Sequence, residues 1–292
     1  MSRGIRIYLA GLLILIFGWL AYHFDALRLA TSSFGIITLT VAAVFYTLGH
    51  VLRMARLTLL TLDERQASFD LVTAHALTAF PSSLIPFKLG EILRLSAFFH
   101  VYDGRQKALA VWVSERFGDV VVLTGLILCL YLFNFDVPSS VRALFFIFVI
   151  ASSLGLAIFF AVTKVFVYLN RHLVLSSHTR RGLWILKVSY ALRAFEATIQ
   201  RSIEGRLSAL LLISMLIWGC EIAAVTVATR QIMTAYPDIA EIVTSGLLAS
   251  IASSNEQVET AALVYQSVSV IALSLLFVIL LTLTFHRIRR TK

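Results

Sequence analysis

The twenty residues from Phe80 to Phe99 read FPSSLIPFKLGEILRLSAFF. Two prolines, a lysine, a glutamate and an arginine interrupt a run otherwise apolar enough to enter a bilayer. An ionisable side chain in hydrocarbon costs about 2.5 to 3.5 kcal/mol on insertion scales, and it marks either a pathway or a buried pair. What Lys88, Glu91 and Arg94 are for therefore decides how this chain folds.

Composition fixes the solvent. The chain has 292 residues, 59% hydrophobic and only 14% charged, outside the range of soluble domains. The expected fold is an all-α polytopic membrane protein. Six segments are long and apolar enough to cross as helices: residues 5–24, 34–52, 111–133, 141–162, 207–229 and 262–285. The first follows Arg3 and Arg6, but no small-residue cleavage site follows its long apolar run, so it is expected to be a retained anchor. Cys129 and Cys220 both fall in apolar runs and read as packing residues.

The formal charge of +9 raises nucleic acid as a partner, and the placement of the basic residues argues against it. With the N-terminus cytoplasmic, 17 basic residues fall inside: Arg3, Arg6, Arg53, Arg56, Arg65, eight between Lys164 and Arg206, and four from Arg287 to Lys292. Only Arg28, Arg142 and Arg230 fall outside. That imbalance orients the chain with both termini cytoplasmic.

Parity then constrains the opening stretch. Counting residues 69–99 as one crossing would put Lys164 to Arg206 outside, against the charge rule, so this segment should enter and leave on the cytoplasmic side. Pro81 and Pro86 each remove a backbone donor and are expected to break the helix there. Freed backbone at membrane depth is tolerated where protein buries it or where it lines a wet cavity. The second half repeats this order inverted, with residues 239–252 broken by SSNEQ before a last span. The expected architecture is one transmembrane domain over 1–292, with a first repeat (1–133) and a second (141–285) in opposite orientation. Six full spans and two broken or re-entrant segments resemble an inverted-repeat transporter. Between the repeats, 164–206 reads as a basic, amphipathic cytoplasmic connection. It suits either a helix lying on an anionic leaflet or a positive-inside helical hairpin.

The intramembrane charges cluster. Glu91 and Arg94 share a helix face, as do Glu115 and Asp119; Glu221, Glu256 and Glu259 lie in the second half as coupling or second-half site candidates. A helix starting after Pro86 would offer free backbone donors to a phosphate, with Lys88, Arg94 and Arg116 adding charge. The bland alternative is that Glu91–Arg116 and Arg94–Glu115 are buried pairs holding the segment to its neighbour, and that Glu221 is bonded to a neighbouring helix. Three cations, Lys88, Arg94 and Arg116, face six carboxylates on this count, a surplus that could take an amine or a proton. Seven histidines (His23, His50, His75, His100, His172, His178, His286) show no metal-ligand spacing, and most sit at span ends, where interfacial packing is the usual role. With no catalytic set, nucleotide loop or metal cluster, neither enzyme activity nor a cofactor is expected.

Three stretches carry a resemblance: HVLRMARL, then FPSSLIPFKLGEILRLSAFF, then ALAVWVSERFGDVVVL. Together they resemble the lysylphosphatidylglycerol synthase transmembrane family, the flippase half of bacterial multiple peptide resistance factors. The matching positions are Arg53 and Arg56, Pro86, Gly90, Glu91, Arg94, Glu115, Arg116 and Asp119. The resemblance implies a multi-pass protein of a bacterial cytoplasmic (inner) membrane, moving a phospholipid or lipid-linked envelope intermediate between leaflets. Arg53 and Arg56 would then be cytoplasmic phosphate contacts, and Lys88, Glu91, Arg94, Glu115, Arg116 and Asp119 the headgroup site. The cytosolic aminoacyl transferase domain is missing, so no lysyl transfer is expected. The second half has ASSNEQVET instead of a glycine-rich turn, which leaves Glu256 and Glu259 as alternatives for its glutamate. The rival reading is a non-transporting accessory subunit that docks a glycosyl- or aminoacyl-transferase through the basic connection.

Overall fold

A computed structural model describes residues 3–22, 35–84, 89–102, 104–133, 146–155, 180–229 and 268–274, with isolated positions between them. Among these residues the secondary structure is entirely helical. The longer elements are α1 (Arg3–Tyr22), α2 (Ile36–Leu60), α3 (Arg65–Leu84), α4 (Leu89–Val101), α5 (Arg105–Leu132), α6 (Arg180–Ile203) and α7 (Leu207–Thr229). A shorter apolar helix covers Phe146–Gly155. Among the described residues two helices are long and apolar enough to cross a bilayer, Ile36–Leu60 and Leu207–Ala228, and they pack against each other.

The distribution of side chains is inside-out relative to a water-soluble bundle. Ile14, Phe17, Ile36, Ile37, Leu212 and Met215 face outward, while Arg56, Arg94 and Glu115 are buried. Water would reverse that preference, because exposed hydrocarbon and sequestered charge both cost free energy there. Hydrocarbon outside favours it. The chain is a membrane protein on this ground as well as on composition.

Two apolar clusters bracket the buried charges. At one level Leu57, Leu60, Leu71, Phe98, Val111 and Leu210 pack together; at the other, Leu12, Ile16, Tyr46, Ala79, Ala224 and Val270 do so. Burial of such side chains stabilises by roughly 1.5 to 3 kcal/mol each in water. Within a bilayer the gain is smaller and comes from close packing, so the polar layer between the clusters weighs more in holding the helices together.

Helices α3 and α4 form an antiparallel hairpin from the opening stretch. At its closed end Ser82 Oγ donates to the Gly90 carbonyl at 3.0 Å, and a Cβ added at Gly90 would run into the Ser82 backbone. Gly90 thus lets the backbone of Ser82 pass close. Pro81 does not break the chain: helical residues continue through it to Leu84. A membrane helix tolerates one lost backbone donor when neighbouring groups satisfy the freed carbonyl. Pro86 and Lys88 lie outside the described residues.

The open end of the hairpin gathers three helix junctions. Lys107, at the start of α5, pairs with Glu64 just before α3. Arg206 donates to Asp63 at 2.8 Å and to the Leu59 carbonyl at 3.3 Å, which brings the start of α7 to the end of α2. Gly205, at φ 71, makes the reversal between α6 and α7 in a backbone region that other residues enter at a cost. The α3–α4 hairpin therefore starts and ends at the same level of the bundle.

Some expected boundaries shift. The second span continues beyond Leu52 to Leu60, so Arg53 and Arg56 lie within a helix and not in a loop; the physical reason is that carboxylates on other helices neutralise them there. The basic connection supplies α6, which packs on α5 with Ser189 and Ile199 inward. Its outer face mixes Leu183, Trp184 and Tyr190 with Lys187 and Arg193, where segregated apolar and basic faces were expected. The broken segment at 239–252, Glu256 and Glu259 lie outside the described residues, as does the last span apart from 268–274.

With Cys129 and Cys220 replaced, single cysteines at Asp63, Gly104 and Glu204 should label from the same side of sealed vesicles. Labelling of Gly104 from the opposite side to Asp63 would reject the clustered junctions.

Candidate functional site

The buried charges form a closed ring. Arg56 on α2 donates to both oxygens of Asp119, at 2.5 and 3.2 Å, and to Glu115 Oε1 at 2.8 Å. The other oxygen of Glu115 pairs with Arg94 on α4. Arg94 also reaches Glu91 at 3.6 Å. Glu91 accepts from Arg116 at 2.8 Å, and Arg116 returns to Asp119 at 3.3 Å. Three guanidiniums thus alternate with three carboxylates, and each charge has two opposite neighbours.

Helical spacing makes the ring possible. Glu115 and Asp119 lie one turn apart on α5, so both meet the fork of Arg56. Glu91 and Arg94 lie one turn apart on α4, and each takes one partner from α5. Ser214 on α7 accepts from Arg56 at 2.9 Å. Gly118 gives α7 room to approach, since a Cβ there would sit 2.6 Å from Ser214 Oγ. Trp112 adds a longer bond to Glu91, 3.4 Å.

The ring has a sealed side and an open side. Side-chain exposure is 1% for Arg56, 0% for Glu115 and 5% for Arg94, against 31% for Glu91 and 34% for Arg116. A ligand can therefore compete for the Glu91–Arg116 link without unpacking the interior. Beside the ring, Arg53 donates to Glu221 at 2.6 Å and joins α2 to α7, with both side chains about a fifth exposed. Glu221 lies about 21 Å along α7 from its first residue at 1.5 Å per residue, which is membrane depth. The neighbouring-helix partner expected for Glu221 is Arg53, a cation.

Residues 7–254 match the sequence profile of the family described as the lysylphosphatidylglycerol synthase TM region. The chain belongs to that family. No curated protein and no solved structure is significantly similar to it. Membership places this LPG synthase TM region protein among membrane proteins connected with lipid chemistry, and the residues that carried the resemblance are the ones the fold draws together. Arg53, Arg56, Glu91, Arg94, Glu115, Arg116 and Asp119 all enter the network.

Several sequence expectations about the site change. Arg56 is not a free cytoplasmic contact but the most enclosed member of the ring, and Arg53 is engaged by Glu221. Arg116 has its expected partner Glu91 and a second one in Asp119. The surplus of carboxylates disappears among the described residues: counting Arg53 and Arg56, four arginines face Glu91, Glu115, Asp119 and Glu221. His50 and His75 are not interfacial, since both are buried and lie beside each other. The missed signal was the stripe Tyr46, Gly49, His50, Arg53, Arg56, Leu57 and Leu60, which keeps helical spacing beyond the point where hydropathy falls. Ser214 gave no such signal, being one hydroxyl in an apolar run.

The difference in enclosure sets an expected order of stability. Arg56→Ala strands Glu115 and Asp119 in the interior and should cost about 3 to 5 kcal/mol. Arg116→Ala leaves Glu91 with Arg94 and Asp119 with Arg56 at a partly wet edge, and should cost about 1 kcal/mol. Unfolding in mild detergent measures both, and equal losses would mean that the ring is uniformly buried. Gly118→Ala should also loosen the α5–α7 contact, by about 1 to 3 kcal/mol.

Proposed function

We propose that the protein moves a phospholipid or lipid-linked envelope intermediate between leaflets, holding the headgroup phosphate at the open side of the charge ring. The observation that carries this reading is the Glu91–Arg116 link, an ion pair one-third exposed at one edge of an otherwise sealed ring. A phosphate there takes Arg116 in bidentate fashion and replaces Glu91, and a cationic group on the same headgroup takes the released carboxylate. Charge stays balanced throughout. Lys88, just before α4, adds a second phosphate contact in this reading. Six crossings in an inverted repeat, with the α3–α4 hairpin re-entrant and both termini on the cytoplasmic side of an inner membrane, is the topology proposed to carry it. Its support is the distribution of basic residues and the shared level of the hairpin's two ends. Glu256 or Glu259 would complete the site from the second half.

Reconstituted leaflet exchange of a fluorescent phospholipid tests the reading. Arg116→Gln and Lys88→Gln should fold and insert normally while exchange falls at least tenfold, the loss expected for one charge-assisted hydrogen bond. Arg116→Lys keeps the charge and loses the planar fork, and should fall nearly as far. Wild-type exchange rates in all three variants reject the phosphate site. No exchange by the unaltered protein, under conditions where it is folded, favours the accessory-subunit reading.

Helix α6 belongs to the same proposal as an anchor. Its outer face, Leu183, Trp184 and Tyr190 with Lys187 and Arg193, suits the interface of an anionic leaflet, aromatic rings at headgroup level and basic heads toward phosphates. Changing Arg180, Arg181, Lys187 and Arg193 to glutamine should weaken that contact by about 1 kcal/mol per residue. An environment-sensitive probe at Tyr190→Cys should shift toward water in anionic vesicles, and an unchanged signal counts against it.

A further inference from the structure

His50 on α2 and His75 on α3 carry information the ring does not use. His50 Nδ1 lies 3.4 Å from His75 Nε2, and His50 Nε2 lies 3.5 Å from Arg53 Nη1. Both rings are buried, with 5% and 2% of their surface exposed. A guanidinium has donors and no acceptor. His50 Nε2 must therefore be the bare nitrogen, and the proton of His50 sits on Nδ1. That proton is donated to His75 Nε2, so the proton of His75 sits on its own Nδ1. A second proton on either ring would set donor against donor. The orientation of Arg53, fixed by Glu221 at 2.6 Å, thus sets the tautomer of a residue two steps away.

Among the described residues the chain of bonds ends without an acceptor. His75 Nδ1 is buried and has no hydrogen-bond partner among the described residues. The Nε atoms of Arg56, Arg94 and Arg116 share that condition, and the charges of Arg94, Arg53 and Arg56 all bear on His75. A buried N–H without an acceptor loses its hydration for nothing, so a native fold supplies one. His75 Nδ1–H, with the charge of Arg94 bearing on it, calls for an acceptor that is itself anionic.

We propose that His75 is a further ligand-binding residue, presenting Nδ1–H to a phosphate oxygen, with His50 and Arg53 as the positioning residues that fix its tautomer. The proposal rests on the phosphate-site reading above and extends it to α3. It adds a neutral donor on the enclosed side of the ring, met only by a phosphate that has passed beyond the exposed Glu91–Arg116 link, and it makes the Arg53–Glu221 pair matter to binding without contact to the ligand.

The test is ¹⁵N-histidine NMR on the full-length protein in a phosphate-free detergent, with resonances assigned from His50→Gln and His75→Gln. Both rings should show a protonated Nδ1 and a bare Nε2. Adding phosphatidylethanolamine, which carries both a phosphate and an ammonium, should shift His75 Nδ1 and leave His50 Nε2 in place. A shift with phosphatidylethanolamine but not with inorganic phosphate assigns the donor to a lipid headgroup, and a shift with both assigns it to the phosphate group itself. A silent His75 with both probes, or a proton on its Nε2, overturns the proposal. In a fluorescence titration with phosphatidylethanolamine, His75→Gln, which lacks a donor at the Nδ1 position, should bind about tenfold or more weakly. His75→Asn, whose amide nitrogen falls near Nδ1, should bind within a few-fold of the unaltered protein. Equal affinity for all three also overturns it. A responsive His75 in a protein that exchanges no lipid would leave this site standing and remove the transport reading. Lipid exchange with a silent His75 would do the reverse.

Discussion

The structure depends on keeping three arginines and three carboxylates in one closed ring inside a bilayer. An isolated charge in hydrocarbon is costly enough to neutralise or to drag in water. An alternating ring avoids both outcomes, because every guanidinium meets two carboxylates and every carboxylate meets two guanidiniums. Side chains held from two directions also have less freedom left to lose with each added pair. The ring draws its members from α2, α4 and α5, and Ser214 attaches α7, so the polar layer fixes how four helices meet. The apolar clusters on either side exclude water from the sealed half and raise the strength of each pairing there.

In the proposed function, balance would also make the ring exchangeable. A site with spare positive charge would hold an anionic headgroup tightly and release it slowly. In a neutral ring, a phosphate arriving at Arg116 would displace Glu91 and be displaced by it again, so the difference between bound and empty states would stay small. Transport of the proposed kind needs that property more than it needs affinity. It also explains why the exposed link is a pair and not a lone cation: an unpaired arginine at that depth would bind the first anion that reached it.

Much of this was legible in the sequence, and the limits have physical causes. The i,i+3 and i,i+4 spacings of Glu91 with Arg94 and Glu115 with Asp119 placed the charges on helix faces, and the pairs Glu91–Arg116 and Arg94–Glu115 stood as the bland alternative because buried charges pair. The end of α2 was misplaced because hydropathy falls at Arg53, although a buried partner lets an arginine extend a membrane helix. That single boundary hid Arg56 from the ring, Arg53 from Glu221, and the balance of four charges against four. Pro81 misled for a similar reason, since the rule that proline ends a helix is calibrated on backbone exposed to water. His50 and His75 carry no spacing signal at all: twenty-five residues apart, they meet only because the hairpin folds back along α2.

The hairpin itself follows from one close approach. Gly90 and Ser82 bring the backbones of α3 and α4 together at the closed end, and only a residue without a Cβ permits it. The 3.0 Å bond from Ser82 to the Gly90 carbonyl then occupies a carbonyl near the closed end. A wider separation there would carry Glu91 and Arg94 away from α5, because both sit on the first turn and a half of the helix that Leu89 begins. The ring would open at its exposed link first, as that pair has the least packing behind it. The glycine in KLGE and the charges that follow it are thus one device: the close approach to Ser82 sets the position of α4, and the position of α4 decides whether the charges close on one another.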